Sequence, residues 1–172
     1  MELLDNGNVV DVEVEDLLKD VEKSIEFGPD LNPAVAEGFV KTMTRPLSKE
    51  TSECLKNKFK IPNNCKSFVI PKMNQEIWTH LPTTARLNDL NFQQVQQTLG
   101  FGVNALAQIA NIVAISGSQI PKEVKSTILK MSIDSGNLLG DQIQSFSRKR
   151  RLEVKKHINA DYHGICNAQV IL

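Results

Sequence analysis

One long stretch of the chain carries no charged side chain, and it constrains the fold more than any other feature. Residues 90–121 have the sequence LNFQQVQQTLGFGVNALAQIANIVAISGSQIP. At 100° per residue, many of its apolar side chains fall within a stripe roughly 80° wide, as in a helix that packs one face against a core. We therefore expect a long central helix with an inner stripe of Phe92, Val95, Leu99, Val103, Leu106, Ala110 and Val113.

A second apolar face lies on nearly the opposite side of this predicted helix, where a surface helix normally carries Lys or Glu. Neighbouring elements of the same chain can cover this face, or another subunit can cover it in a homo-oligomer. A membrane span is the weakest interpretation, because Asn104, Gln108 and Asn111 interrupt the run and only about 17 residues are suitably apolar where roughly 20 are needed. We expect self-association and no membrane partner. The candidate self-association residues are Phe101, Ala105, Ile112 and Ile115.

The composition favours helices over sheets. The chain has 172 residues, of which 41% are hydrophobic, 23% charged and only 5% aromatic. Leu, Ile, Val, Ala and Met must then supply most of the packing, which suits helices better than a β-sandwich. We predict an all-α fold: a compact bundle of about six helices, with one ordered extended connector at about residues 61–72 and a long C-terminal helix.

Capping residues and prolines place the individual helices. A first helix is expected at about residues 14–27, within an acidic N-terminal segment of about 30 residues that precedes a single all-α domain. Asn32, Ser48 and Asn74 have the type and position of N-caps. The last helix is predicted to begin at Pro121 and to run to about Ile158. Its inner stripe would be Val124, Ile128, Met131, Leu139, Ile143 and Phe146.

The formal net charge is zero, but the charges are unevenly distributed. Residues 1–47 hold eleven Asp and Glu against four Lys and Arg, and residues 48–172 hold nine against sixteen. An acidic first part and a basic last part can hold one chain together internally, or they can join copies head to tail.

The basic charge is concentrated in the segment SRKRRLEVKK, residues 147–156. On a helical wheel its cations surround the helix, and Arg150 continues the line of the inner stripe. We therefore expect the helix to leave the core near Phe146, with Phe146 buried and Arg150 exposed. The cations can simply favour a helix C-terminus, contact four to six phosphates of an RNA or DNA backbone, or act as a nuclear import signal. The candidate residues are Arg148, Lys149, Arg150, Arg151, Lys155 and Lys156.

Catalytic and metal-binding patterns are lacking in the sequence. The three cysteines form no CxxC pair and follow an acidic start rather than a signal peptide, which favours a reducing, cytoplasmic or nuclear location. His163 and Cys166 lack two further ligands at usable spacing, and Gly100 and Gly102 lack the rest of a dinucleotide fingerprint. We expect no enzyme, no catalytic residue, no metal, no cofactor and no small-molecule substrate.

Two ordered groups of residues resemble gag-like proteins of invertebrate tyrosine-recombinase retroelements, of the DIRS and Ngaro kind. The first group consists of a Pro-basic-x-Asn motif, an Ile-Trp pair, an Arg-x-x-Asp motif and a Gln-rich helix that ends in Gly-x-x-Ala-Leu. The second is a Leu-Leu-Gly, a Ser-x-x-Arg-Arg, a basic residue, and a Tyr before a Cys. The matching positions are Pro71, Lys72, Asn74, Ile77, Trp78, Arg86, Asp89, Gln93, Gln96, Leu99, Gly102, Ala105, Leu106, Leu138, Leu139, Gly140, Ser147, Arg150, Arg151, Lys155, Tyr162 and Cys166.

This resemblance covers about residues 49–166 and rests on order and spacing. It implies a non-enzymatic, self-associating structural protein that packages element RNA, or a host-retained copy of one. The sequence departs from the family pattern in two respects: it stops soon after the Tyr and Cys, and it has no Cys-His zinc knuckle to contact RNA directly. The alternative hypothesis is a monomeric adaptor or nucleic-acid-binding module whose second helix face is covered internally.

Overall fold

The structure is a computed structural model that describes residues 27–116 and 119–164. These residues are helical without any strand, so the predicted all-α class is confirmed for this part of the chain. Residues 14–26 of the first expected helix and the C-terminal residues 165–172, including Cys166, lie outside it, and Phe27 is not helical. The described part contains five α-helices: α1 (Pro33–Thr44), α2 (Lys49–Lys58), α3 (Gln75–His80), α4 (Thr83–Ile115) and α5 (Lys122–Lys155).

The three predicted N-caps are confirmed by their hydrogen bonds. The side-chain oxygens of Asn32, Ser48 and Asn74 accept from backbone amides two or three residues further on, at 3.1, 3.2 and 2.7 Å. Each cap satisfies one of the amides that a helix start leaves without an intrahelical partner. Local sequence therefore sets where α1, α2 and α3 begin.

The chain divides into two compact units, Met1–Pro46 and Leu47–Leu172. In the first unit, α1 is the helix that the structure describes, and its large apolar side chains are exposed. They are Val35, Phe39, Val40 and Met43. The second unit contains α2 to α5.

Helices α4 and α5 form an antiparallel hairpin, each roughly 50 Å long at 1.5 Å per residue. Near the turn, Lys125 Nζ donates to the Ala114 carbonyl oxygen at 3.1 Å. At the far end, Arg150 of α5 contacts Asp89 of α4. The Lys125 contact joins the start of α5 to the end of α4. The Arg150 contact joins the end of α5 to the start of α4. Together they fix the antiparallel register of the two helices.

The hydrophobic core lies at the far end of the hairpin. Leu81, Ala85 and Val154 are buried together, and Met73 and Ile158 pack against them. The prediction that the last helix leaves the core near Phe146 is therefore wrong, because Val154, two turns further on, is still buried. Helix α5 ends at Lys155, three residues before the expected Ile158.

Phe146 itself is half-buried rather than buried. Its ring packs against the Phe92 ring of α4, with a centroid separation of 5.6 Å and an interplanar angle of 41°. This tilted arrangement is a favourable aromatic contact, and it links α4 to α5 in the half of the hairpin away from the turn.

The predicted inner stripes are correct in part. On α4, Val113 is buried, but Val95 is 41% exposed, and on α5 both Val124 and Met131 are exposed. The other members of both stripes are half-buried. A two-helix hairpin leaves much of each apolar stripe uncovered, because one neighbouring helix covers only a narrow strip of a helix surface.

The connector between α2 and α3, predicted at about residues 61–72, is not helical apart from one short turn. It contains a 3₁₀ turn at Lys66–Phe68 and is otherwise irregular. At its start, the buried Asn104 of α4 donates from Nδ2 to the Phe59 carbonyl oxygen at 3.0 Å, which attaches the end of α2 to the hairpin.

By length and composition, α4 is the one helix in the described residues that is long and apolar enough to cross a membrane. Core helices of soluble proteins often meet the same criterion, so this property is weak evidence.

The glycines of α4 provide a matched test of the hairpin packing. A Cβ at Gly100 would meet nothing within 4 Å, whereas one at Gly102 would lie 3.1 Å from Leu139 Cδ1 of α5. We expect Gly100→Ala to raise the free energy of unfolding by about 0.5–1 kcal/mol through helix propensity. Gly102→Ala should gain less, because Leu139 must shift. Urea unfolding of both variants checks this, and an equal or larger gain for Gly102→Ala would contradict the described packing.

Candidate functional site

Arg150 is at the centre of a buried polar network that joins three parts of the second unit. Its Nε donates to Asp89 Oδ1 at 2.7 Å and its Nη2 to Asp89 Oδ2 at 3.4 Å. Its Nη1 donates to the Pro71 carbonyl oxygen and to Gln96 Oε1, both at 2.9 Å. The guanidinium thus connects α5 to α4 and to the connector before α3.

The expectation that Arg150 is exposed is wrong, because only 7% of it is accessible. The helical wheel correctly predicted that Arg150 lies in line with the inner stripe of α5. The core nevertheless continues past this arginine, because Val154 is also buried. Asp89 of α4, which is 3% exposed, meets it across the hairpin and supplies the opposite charge that burial requires.

Gln96 completes the network from the α4 side and is fully buried. Its Oε1 accepts from Arg150, while its Nε2 donates to the Ile143 carbonyl oxygen and to Ser147 Oγ, both at 2.9 Å. Ser147 Oγ in turn donates to the Ile143 carbonyl oxygen at 3.2 Å. Each polar group of the Gln96 side chain therefore has a partner, as a buried amide requires.

Several positions that carry the gag-like resemblance meet in this network. Gln93 donates to Asp89 Oδ2 and adds a further member. These residues are spread over eighty positions of the sequence, where they belong to separate motifs, and the fold brings them into one cluster. In this structure their common role is to hold the hairpin together. The positions concerned are Pro71, Asp89, Gln93, Gln96, Ser147 and Arg150.

The other cations of the basic segment have different surroundings. Arg148 and Lys149 are exposed, and Lys149 Nζ lies 5.1 Å from the centre of the Phe146 ring. Lys156 pairs with Glu153 at 2.6 Å, and this hydrogen bond holds the pKa of Glu153 below its usual value. Arg151 and Lys155 are half-buried. The segment is thus divided between a buried joint at Arg150 and exposed cations on the solvent side.

An apolar groove of about 990 Å³ lies between the connector and the α4–α5 hairpin. Val103, Leu106 and Ala110 of α4 line one side, and Ile133 and Ile143 of α5 line the other. The connector residues 67–73 close one end, where Arg150 forms part of the wall. The predicted inner stripe of α4 therefore faces an open groove along much of its length rather than a filled core.

The candidate self-association face of α4 is only partly covered. Phe101 and Ala105 are half-buried, whereas Ile112 is 58% and Ile115 is 75% exposed. On the helical wheel these residues lie opposite Val103 and Ala110, which line the groove. Helix α4 thus has two distinct apolar faces, each of which remains at least partly open.

Within residues 27–116 and 119–164, no three His, Cys, Asp or Glu side chains come together as a metal site would need. His80 and His163 contact backbone carbonyl oxygens of Glu76 and Ile158, at 2.7 and 3.3 Å.

The Arg150 network makes a direct stability prediction. Replacing Arg150 or Asp89 by Ala leaves the other charge buried without its partner, and we expect the free energy of unfolding to fall by about 3–5 kcal/mol. Arg148→Ala, an exposed neighbour on the same helix, should change it by no more than about 0.5 kcal/mol. Urea unfolding measures all three variants. Similar values for Arg150→Ala and Arg148→Ala would show that the network does not hold the hairpin.

Comparison with known protein families gives a match over most of the chain. No curated protein and no solved structure matches the sequence. Residues 29–171, which include α1 to α5 and the Arg150 network, match the family model described as Domain of unknown function (DUF8747). Since this match covers most of the 172 residues, the chain belongs to the DUF8747 family.

Proposed function

We propose that this protein is a non-enzymatic structural protein that self-associates through the second apolar face of α4. This face, called the outer face below, consists of Phe101, Ala105, Ile112 and Ile115. The observation that carries the proposal is the exposure of Ile112 and Ile115 on a helix that has no charged residue after Asp89. A lone helix surface of this composition is costly to leave in water.

The distribution of apolar side chains in the described residues supports the same conclusion. Four apolar residues are buried there, namely Leu81, Ala85, Val113 and Val154. Many more large apolar side chains are exposed, and on α4 alone they are Leu87, Leu90, Val95, Ile109, Ile112 and Ile115. Single exposed apolar residues are ordinary, but several along a helix that carries no charge after Asp89 mark an interaction surface.

The chemistry of the outer face suits a contact between subunits. Burying an exposed Ile side chain contributes roughly 1.5–3 kcal/mol, and no charge on the outer face has to be desolvated. Gln108 lies between Ala105 and Ile112 and is half-buried, so it offers amide hydrogen bonds at the edge of such a contact. The resemblance to gag-like proteins agrees with this proposal, because those proteins are self-associating and structural.

RNA contact is an accessory part of the proposal. Arg148 and Lys149 are exposed and close together on α5, so they are available to phosphates. Arg150 is committed to Asp89 and Lys156 pairs with Glu153, which reduces the four to six phosphate contacts expected from the sequence to about two or three. A cytoplasmic or nuclear location fits either a packaging role or an import role for the remaining cations.

Self-association through the outer face can be tested with charge insertion. The double variant Ile112→Asp, Ile115→Asp should have a lower mean mass by light scattering than the wild type at the same concentration, because two buried carboxylates oppose the contact. Phe39→Asp in α1, at a site that is 66% exposed, is the matched control and should leave the mass unchanged. If the double variant keeps the wild-type mass, the outer face is not the contact.

The RNA contribution can be tested by its salt dependence. For single-stranded RNA the slope of log Kobs against log salt is about −0.7 per phosphate contact, so two or three contacts give a slope between about −1.4 and about −2.1. Fluorescence anisotropy with a labelled oligonucleotide measures this slope. The variant Arg148→Glu should have a shallower slope than the wild type, because it loses a phosphate contact. A slope near −4 would mean that about six cations reach phosphates, which the buried Arg150 does not allow.

A further inference from the structure

The outer face leaves the apolar groove on the other side of α4 without a role. Along α5 the groove extends from Ile133 to Val154, which is about 30 Å at 1.5 Å per residue. Its floor carries Gly100, Gly136 and Gly140, and a Cβ placed at any of them would meet nothing within 4 Å. Small residues along a helix pair leave room for a third helix to approach closely. The length therefore fits a helix that lies along α5.

The charge of the groove indicates what kind of helix it would bind. Four charged side chains line it: Lys72, Asp89, Arg150 and Arg151. Asp89 and Arg150 neutralise each other, whereas Lys72 and Arg151 form no ion pair with another described residue. The groove thus combines an apolar floor with two available positive charges at the end closed by the connector. Its complement is an amphipathic helix with excess negative charge.

One segment of the sequence has the pattern expected of such a helix. Residues 14–27 have the sequence VEDLLKDVEKSIEF, in which Leu17, Leu18, Val21 and Ile25 recur at helical spacing. The segment holds five acidic and two basic residues, a net charge of −3. Fourteen residues of helix are about 21 Å long, which is shorter than the groove. Helix α1 is a poorer match, because Glu37 and Lys41 pair within it and leave no net charge.

We infer that the groove binds residues 14–27 of a second copy, so that copies associate head to tail. This inference rests on the proposed self-association and adds a second contact to it, on the face of α4 opposite the outer face. A contact between two different surfaces repeats from copy to copy and forms a ring or a filament. It also gives a role to the acidic first part and the basic last part of the chain.

The experiment uses the full chain with Ile112→Asp and Ile115→Asp already present, so that the outer face no longer contributes. In this background the head-to-tail contact should keep the mass above the 19.2 kDa of one chain. Adding Gly140→Phe fills the groove, and adding Leu17→Asp with Val21→Asp removes the apolar stripe of the segment. Each of these two variants alone should be a monomer, since one lacks any open groove and the other lacks any competent segment.

A mixture of the two variants gives the decisive result. The intact segment of the groove-filled variant can enter the open groove of the segment variant. No further copy can then add, because neither an open groove nor an intact segment remains. The mixture should therefore contain a 1:1 dimer of about 38 kDa, twice 19.2 kDa. If Gly140→Phe disturbs folding by circular dichroism, Lys72→Glu with Arg151→Glu replaces it as the groove variant. Phe39→Asp serves as the control in α1 and should not alter the mass.

The outcomes separate this inference from the proposed function. If the starting background is already a monomer while the wild type is larger, the outer face accounts for all association and the groove inference is overturned. If the background associates but neither variant reduces its mass, or the mixture forms no dimer, the inference is also overturned. If the background keeps the wild-type mass and the segment variant lowers it, the head-to-tail contact in the groove is supported, and self-association through the outer face is overturned.

Discussion

The ion pair between Arg150 and Asp89 sets the register of the two long helices, and the remaining features of the second unit depend on that register. The two residues are 61 positions apart, one near the end of α5 and the other near the start of α4. A shift of α5 by one residue would turn Arg150 by about 100° around the helix, away from Asp89, Gln96 and the Pro71 carbonyl oxygen. The same guanidinium also holds the connector against the hairpin, which closes one end of the groove.

A buried ion pair is an unusual basis for a hairpin, because desolvation offsets much of its attraction. Its benefit is specificity: the pair and its amide partner Gln96 have all their hydrogen bonds only in one arrangement of α4 and α5. The described core beside it is small, with Leu81, Ala85 and Val154 at its centre. Long helices held mainly at one end expose apolar surface along the rest of their length, and this surface is what a second copy would cover.

The helices of the described part were largely predictable because their signals are local. The side-chain caps at Asn32, Ser48 and Asn74, the uncharged run of α4 and the start of α5 near Pro121 each depend on a few neighbouring residues. The Arg150 network was not predictable in this way, because its members come from three separated segments. The helical wheel gave the direction of Arg150 correctly, but local sequence carries no information that Asp89 lies opposite it.

The same limit applies to the surfaces. Periodicity identified both apolar faces of α4, but it could not show that one faces a groove or that Ile112 and Ile115 stay open. Which surfaces remain uncovered depends on how many elements pack around α4, and that is a property of the tertiary structure. The basic segment illustrates the point, because one of its six cations became a structural joint while two neighbours remained exposed.

The central claim is that the uncovered faces of the α4–α5 hairpin are completed by other copies of the chain. Sedimentation equilibrium of the unmodified protein over a wide concentration series tests this most directly, because it assumes no ligand and no interface. The claim predicts a weight-average mass that rises above 19.2 kDa as the concentration increases. A mass of 19.2 kDa at every concentration would contradict it.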